Sequence, residues 1–406
     1  MRKQRVVITG MGAVSPYGRG VGPLMAGMYG NVCAIRLLPE YQVQGLACRA
    51  ASLVPPLDAS VIPRNLRRTM SPMSIFAYFA ACEAMEQAGL NCDPILPRMG
   101  TVIGSTLGSP QVLHEFFAMF LQEQSVENMR SSVFFKVMGH SVAANVALAC
   151  GCTGRTLAPA AACASGLMAI CLGYEAIAAG REDVLLCGGA DEFHLLTAAT
   201  FDRLGAASHE AVPESASRPF DVNRSGIVCG EGAGILLLES LDSALARKAH
   251  ILAEIKGSAI ASSPANIAHP DALVIADCIQ QALQDAALPA STVGYINAHA
   301  TATEYGDIAE GQAIQKIFGS AVPVSSLKGH LGHTMAACGA LESIACIAML
   351  RESVYFPTLN LTNPDMRCGE IAHIKTQTPF EKGVVIKNSF ALGGCNCTVI
   401  FDNFYE

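Results

Sequence analysis

Short β-branched runs that stop at glycine alternate with longer helix-like stretches along almost the whole chain. That alternation restricts the fold more than any other feature. "RVVITG" (5–10) and "GTVIGS" (100–105) are runs of this kind. Between them, "SPMSIFAYFAACEAMEQAGL" (71–90) reads as a helix. Ser71 is placed to cap it, Pro72 suits its first turn and Gly89 closes it. Ile75, Phe79, Cys82 and Met85 recur on one face. Strands alternating with helices are the pattern of an α/β fold.

The pattern continues with "DVLLCGGADE" (183–192) and "GAGILLLES" (232–240), and it restarts near residue 251. "ILAEIKGSAIA" and "VGYINAHA" read as strands, "TMAACGALESIACIAMLRE" (334–352) as a helix, and "GVVIKNSF" and "CTVIFDNF" as a closing pair of strands. Two α/β halves follow, residues 1–250 and 251–406, with the boundary near 245–255. A chain of 406 residues exceeds one ordinary core. No sharp linker separates the halves, so they are expected to share one packed body.

Composition narrows the class. With 51% hydrophobic and 15% charged residues, much of the surface is expected to be covered, which favours an oligomer. The net charge of −7 argues against non-specific nucleic-acid binding. The sixteen cysteines include no CxxC pair. Cys150/Cys152 and Cys395/Cys397 are the close pairs, and no zinc-ligand spacing follows, so no metal site is expected. Many cysteines without a secretion signal imply free thiols in a reducing compartment, hence the cytoplasm. "MRKQRVVITGMGAV" faintly resembles a secretion signal, but its apolar run is short and β-branched. No stretch reads as a membrane-spanning helix.

"APAAACASGLMAI" (158–170) sets Cys163 where a strand ends and an apolar helix begins. Free N–H groups and the partial positive charge of a helix N-terminus lower a thiol's pKa. The small residues 160–166 keep bulk away from the sulfur. Buried filler is the competing reading, because cysteine usually packs as a small hydrophobe. Three other stretches favour chemistry. "NAHATATEYGDIAE" (297–310) holds His299 in a polar loop after a strand. "SSLKGHLGHTMAACG" (325–339) holds Lys328, His330 and His333 before a helix. "NSFALGGCN" (388–396) is a glycine-bearing turn between strands.

Together these stretches resemble the condensing enzymes of the β-ketoacyl-ACP synthase II type, within the thiolase-like superfamily, over almost the whole chain. "RVVITGMGAVSPYG" is similar to the family's opening strand and turn, and "AACASG" to its nucleophile elbow. "SRPFDVNRSGIVCGEGAG" (217–234), with Asp221, is similar to another signature. The resemblance implies a layered αβαβα body of two similar halves. It implies Cys163 as nucleophile, and His299 and His333 as donors to an enolate oxygen. Lys328 is implied to be paired with Glu310. Leu392 and Phe390 fall in the oxyanion and gate motif, and Leu107, Phe134 and Phe135 at the acyl pocket. Arg64, Arg67 and Arg68 fall where the family's basic patch meets acyl carrier protein. Residues 131–148 resemble its dimer-interface region. The implied reaction is decarboxylative condensation of malonyl-ACP with an acyl-enzyme. It needs no cofactor beyond the carrier's phosphopantetheine.

Some positions depart from the pattern. Leu392 stands where the family has an aromatic gate, Ala391 and Ala300 stand for glycines, Cys395 for threonine, and His330 falls outside the motif. These changes favour a specialised pathway, such as a type II polyketide or an aryl polyene, over fatty-acid elongation. Rival readings are a non-catalytic chain-length-factor-like subunit of a heterodimer, a thiolase using Cys395 or Cys397, and a cysteine hydrolase.

Overall fold

In the computed structural model, which describes residues 3–38, 43–90, 98–264, 267, 269–379 and 383–405, the first β-branched run is Val6–Ser15 (β1), buried along its whole length. Ser71 stands at the N-cap of helix Pro72–Gln87 (α1), yet its hydroxyl pairs with that of Ser74 at 3.1 Å. The Met73 N–H donates instead to the buried Glu192 carboxylate at 3.0 Å. A negative acceptor suits the positive end of a helix better than a hydroxyl does. The buried face of α1 is wider than its periodicity predicts: Met73, Phe76, Ala80 and Ala84 join Phe79 and Met85, while Ile75 and Cys82 are half-buried.

The first half continues with Met99–Gly104 (β2), Thr156–Leu157 (β3), Val184–Asp191 (β4) and Gly232–Ser240 (β5). The order is β3-β2-β4-β5-β1, parallel from β3 to β4 and antiparallel beyond. The second half holds Ala253–Ser262 (β6), Val293–Asn297 (β7), Pro323–Ser325 (β8), Ala372–His373 (β9), Val384–Phe390 (β10) and Cys395–Asp402 (β11). Its order is β9-β8-β7-β10-β11-β6, parallel from β9 to β10 and antiparallel beyond. One strand plan is therefore used twice. The halves join where β1 pairs antiparallel with β6, Val7 opposite Glu254.

Helices Ser141–Ala149 (α2), Ser165–Ala178 (α3), Ala272–Asp285 (α4), Glu304–Phe318 (α5) and Cys338–Glu352 (α6) complete the layers. Helices α3 and α6 are apolar nearly all round, which requires burial on both sides. They lie between the two half-sheets, where Leu167, Ile170, Ile344 and Ile347 pack with Leu236 and Val399. Phe79, Met85 and Val146 of α1 and α2 cover the outer face of the first half-sheet. Ile275, Ile279 and Ile314 of α4 and α5 cover the second. The result is the layered αβαβα body. Among the described residues, no helix is long and apolar enough to cross a membrane.

Candidate active site

Both central helices start from a strained turn. Ala162–Ala164 is a single 3-10 turn ahead of α3, and Met335–Ala337 is its counterpart ahead of α6. Ala162 has φ 46° and Met335 φ 51°, left-handed values that cost about 1 kcal/mol or more for residues with a Cβ. Surrounding bonds hold the first turn. The Ser165 hydroxyl accepts from the Ala161 N–H at 2.8 Å and donates to the Ala162 carbonyl at 2.7 Å. The turns nest because Gly166 has no side chain: a Cβ there would lie 2.1 Å from the Ala336 carbonyl oxygen.

Asp191, at the end of β4, ties the nest together. One carboxylate oxygen takes the Ser105 hydroxyl at 2.7 Å and the Thr106 N–H at 3.0 Å; the other takes the Ala336 N–H at 2.8 Å. Sequence reading missed Asp191. Its signal was a carboxylate closing a strand that is otherwise wholly apolar or glycine, since a buried charge needs partners.

These supports bring Cys163, His299 and His333 together. The Cys163 sulfur and one ring nitrogen of each histidine all lie within 4.8 Å of one another. The imidazole planes meet edge to face, centroids 5.3 Å apart. His333 is fixed through its backbone: its N–H donates to Val228 at 2.7 Å and its carbonyl accepts from Gly230 at 2.8 Å. His299 follows β7, and Glu310 accepts its N–H at 2.9 Å and that of Ala300 at 2.7 Å. Both ring nitrogens of His333 and Nδ1 of His299 are buried with no hydrogen-bond partner among the described residues.

The lysine pairing differs from expectation. Lys328 pairs with Glu342 on α6 at 2.5 Å, and Glu310 is engaged with backbone N–H groups and with Asn388 Nδ2 at 3.2 Å. Glu310 lies close enough for its charge to act on Lys328, but after that of Glu342. The second oxygen of Glu342 is 2.7 Å from Lys387. Neither Glu342 nor Lys387 was picked out from sequence, although each is a lone charge inside an apolar helix or strand.

Electrostatics set the resting state. Burial, then the charges of Lys328 and Lys387, hold His333 well below the ordinary imidazole range. Burial, Lys328, His333 and Lys387 do the same to His299. Both are neutral donors at pH 7. Burial works against the Glu342 carboxylate, but Lys328 and Lys387 outweigh it and hold its pKa low. The Lys328 ammonium is likewise opposed by burial and upheld by Glu342. The expectation of a lowered thiol pKa does not hold. Burial, with Cys338, pushes the Cys163 thiol up, and the opposing effects of Lys328 and the thiol's own backbone N–H do not compensate. A sulfur removed from water loses more than a short turn returns.

A cavity of about 330 Å³ opens onto these groups. Phe201, Thr301, Thr303, Phe390 and Leu392 line it with Cys163, His299, His333 and Glu310. Phe390 is buried and Leu392 is exposed at the rim. Leu107, Phe134 and Phe135 line no part of it; all three are exposed. Phe134 and Phe135 belong to a short helix, Ser132–Val137, on the surface of the single chain. Arg64 and Arg68 are exposed, whereas Arg67 is half-buried and donates to the Ala59 carbonyl at 2.9 Å. Asp221 is structural, accepting from Asn223, Thr362 and Asn363. His330 is wholly buried away from the cavity. Cys395 and Cys397 do not line the cavity either, which removes the support for a second catalytic cysteine.

A doubled α/β sheet that buries a cysteine against two neutral imidazoles defines an acyltransferase of the thiolase-like fold. Residues 3–244 match the beta-ketoacyl synthase N-terminal domain and residues 252–362 the C-terminal domain, so the chain belongs to the β-ketoacyl synthase family. It is 33% identical to 3-oxoacyl-(acyl-carrier-protein) synthase 1 of Haemophilus influenzae, over 99% of each chain. A crystal structure of a beta-ketoacyl synthase from Burkholderia phymatum is 38% identical, with a TM-score of 0.95 over 99% of this chain and 100% of that one. A type II PKS acyl-carrier protein in complex with its ketosynthase bound to the hexaketide is 28% identical, with a TM-score of 0.91 over 100% of both chains. The chain is a β-ketoacyl-ACP synthase by family and an acyltransferase by reaction.

Proposed function

We propose that Cys163 takes an acyl group from a carrier-bound thioester and that His299 and His333 drive the condensation. The observation that carries this is the sulfur and two ring nitrogens gathered within 4.8 Å at one cavity. In the first step the Cys163 sulfur forms a thioester, the bond from acyl carbon to carrier sulfur breaks, and the Cys163 proton leaves with the carrier thiol. A neighbouring imidazole relays that proton, because Cys163 rests as a thiol. In the second step malonyl-ACP loses carbon dioxide. His299 and His333 donate N–H groups to the thioester oxygen as it becomes an enolate. Neutral donors in a dry pocket suit that charge, each worth about 10²–10³ in rate. The enolate carbon attacks the acyl carbonyl, the Cys163 thiolate departs and regains a proton, and β-ketoacyl-ACP is released.

The substrates arrive on the carrier's phosphopantetheine arm, and no other cofactor takes part. Arg64, Arg67 and Arg68 greet the acidic carrier, speeding encounter in a salt-sensitive way. Leu107, Phe134 and Phe135, with the exposed Phe117 and Leu121, face a partner subunit, either a second copy or a chain-length-factor-like chain. An apolar surface of this kind marks an interface. The protein works in the cytoplasm. Leu392, in place of an aromatic gate, supports a specialised polyketide or polyene pathway.

Intact mass after mixing with acyl-ACPs of several lengths tests the reading. A mass gain that Cys163→Ala abolishes, and that His333→Ala keeps while losing condensation with malonyl-ACP, is expected. An acyl group still taken up by Cys163→Ala would sink it. Light scattering on the purified chain separates a homodimer from a subunit awaiting another partner.

A further inference from the structure

Lys387 is wholly buried in the middle of β10, and no step above uses it. Its ammonium lies 2.7 Å from Glu342 Oε2 and donates to the Asn388 carbonyl at 2.5 Å. The other Glu342 oxygen holds Lys328, so one carboxylate serves two ammonium groups. Strand β7 pairs in parallel with β10 and sets Asn297 opposite Lys387, on the same face of the sheet. Asn297 Oδ1 is buried with no partner among the described residues. The adjacent Asn388 turns the other way and donates to Glu310, the residue that holds the His299 backbone.

A lysine buried this deeply is costly to keep charged unless its surroundings match it. Here they match: Lys328 and Lys387 face Glu342 and Glu310. Without Lys387, the two carboxylates would face one lysine in a space lined by oxygen atoms.

We propose that Lys387 is a positioning residue, a cation tethered to the chain that fixes Glu342 and the Asn388 backbone behind the two histidines. The tether does work that a free small cation would otherwise have to do. The proposal rests on the reading of His299 and His333 as neutral donors. The titratable groups around Lys387 are Glu342, Cys338 and Cys346 on α6, Lys328, Glu310 and the two histidines. The Lys387 charge helps to hold both imidazoles neutral.

The test compares Lys387→Met and Lys387→Ala with the wild-type full chain. Condensation in either variant is expected to fall about tenfold or more, while acylation of Cys163 stays near wild type. In Lys387→Ala, potassium or methylammonium chloride restores condensation and raises the thermal midpoint. Tetramethylammonium chloride at equal ionic strength, too large for the vacated space, does neither. The wild type is indifferent to the choice of salt. NMR titration of the histidine rings gives a readout independent of turnover: in Lys387→Met the His299 and His333 titrations move up, while burial and Lys328 still hold them below the ordinary imidazole range. That result stands even if the ketosynthase reading fails. Condensation and melting that ignore the cation, or unmoved histidine titrations, would overturn the proposal, as would acylation lost in step with condensation.

Discussion

Glu310 accepts the backbone N–H of His299 on one carboxylate oxygen, at 2.9 Å, and that of Ala300 on the other, at 2.7 Å. A single side chain from α5 therefore sets the path of the loop that carries a reacting imidazole. Burial pushes the Glu310 pKa up, with the two N–H groups, Asn388 and the Lys387 charge acting against that rise.

Glu310→Gln keeps the shape but puts an NH₂ where an acceptor is needed, leaving one loop N–H unsatisfied. A buried orphan donor costs about 1–3 kcal/mol. The variant should unfold at lower urea by that amount. It should also lose condensation more than acylation, because His299 moves and Cys163 does not. Urea unfolding and single-turnover mass spectrometry measure the two effects. Equal loss of both half-reactions would mean that Glu310 supports the whole site rather than this loop.

Buried histidines make stability fall in acid. Burial holds His330 at about 3, and burial with Lys375 holds His373 at about 4, against about 6.5 in an unfolded chain. Both values are depressed, so below pH 6.5 the unfolded state binds more protons than the folded one. The stabilisation is complete above that pH and is lost as pH falls toward the folded values. The slope is at most about 1.4 kcal/mol per pH unit per group. Urea midpoints at pH 7, 6 and 5 should decline steadily, and less steeply in His330→Leu. Parallel declines in the two proteins would show that His330 does not titrate in this way.

The motifs made the reacting set legible because each combines a chemical residue with local turn signals: Cys163 at a strand–helix junction, His299 after a strand, His333 before a helix. The alternation of strands and helices carried the fold for the same reason, being local. What stayed hidden is non-local. Glu342 reaches Lys328 across fourteen residues of chain, and Lys387 reaches Glu342 from another strand. Asp191 joins three segments that only the fold brings together. The depth of Cys163, which reverses the expected pKa direction, follows from packing against Phe201, Ala207, Ile227, Cys229 and Met335, all distant in sequence, and not from its own helix. Leu107, Phe134 and Phe135, placed at the acyl pocket by the resemblance, face outward on the single chain.

Leu392 sits at the cavity rim on a turn fastened to a neighbouring loop. Gly393 N–H donates to the Ile267 carbonyl at 2.8 Å, and Ser263 N–H to that of Gly394 at 2.8 Å. The rim backbone is thus held while the leucine side chain is half in solvent. Leu392→Phe should enlarge the rim group without moving the turn, leaving stability within about 0.5 kcal/mol. Acylation rates across a series of acyl-ACPs should then drop most for bulky or branched chains and least for acetyl. A uniform change across the series would place acyl selection elsewhere.

Gly166 supplies the sharpest geometric test of how the two halves share one site. Its missing side chain lets the Ala336 carbonyl approach, and an added methyl would meet that oxygen at 2.1 Å, a distance no packed pair adopts. The clash is with backbone on both sides, so it is relieved only by parting the two turns. Those turns carry Cys163 ahead of α3 and, two residues after His333, Met335 ahead of α6. Overpacking of this kind costs about 1–3 kcal/mol, occasionally more. A sulfur shifted by about 1 Å from its partners loses about 10²-fold in rate. Gly166→Ala should therefore lose activity far beyond its loss of stability, with acylation and condensation both affected. Full activity in a folded Gly166→Ala protein would show that the turns adjust independently, and that contact between the halves does not set the distance from Cys163 to the histidines.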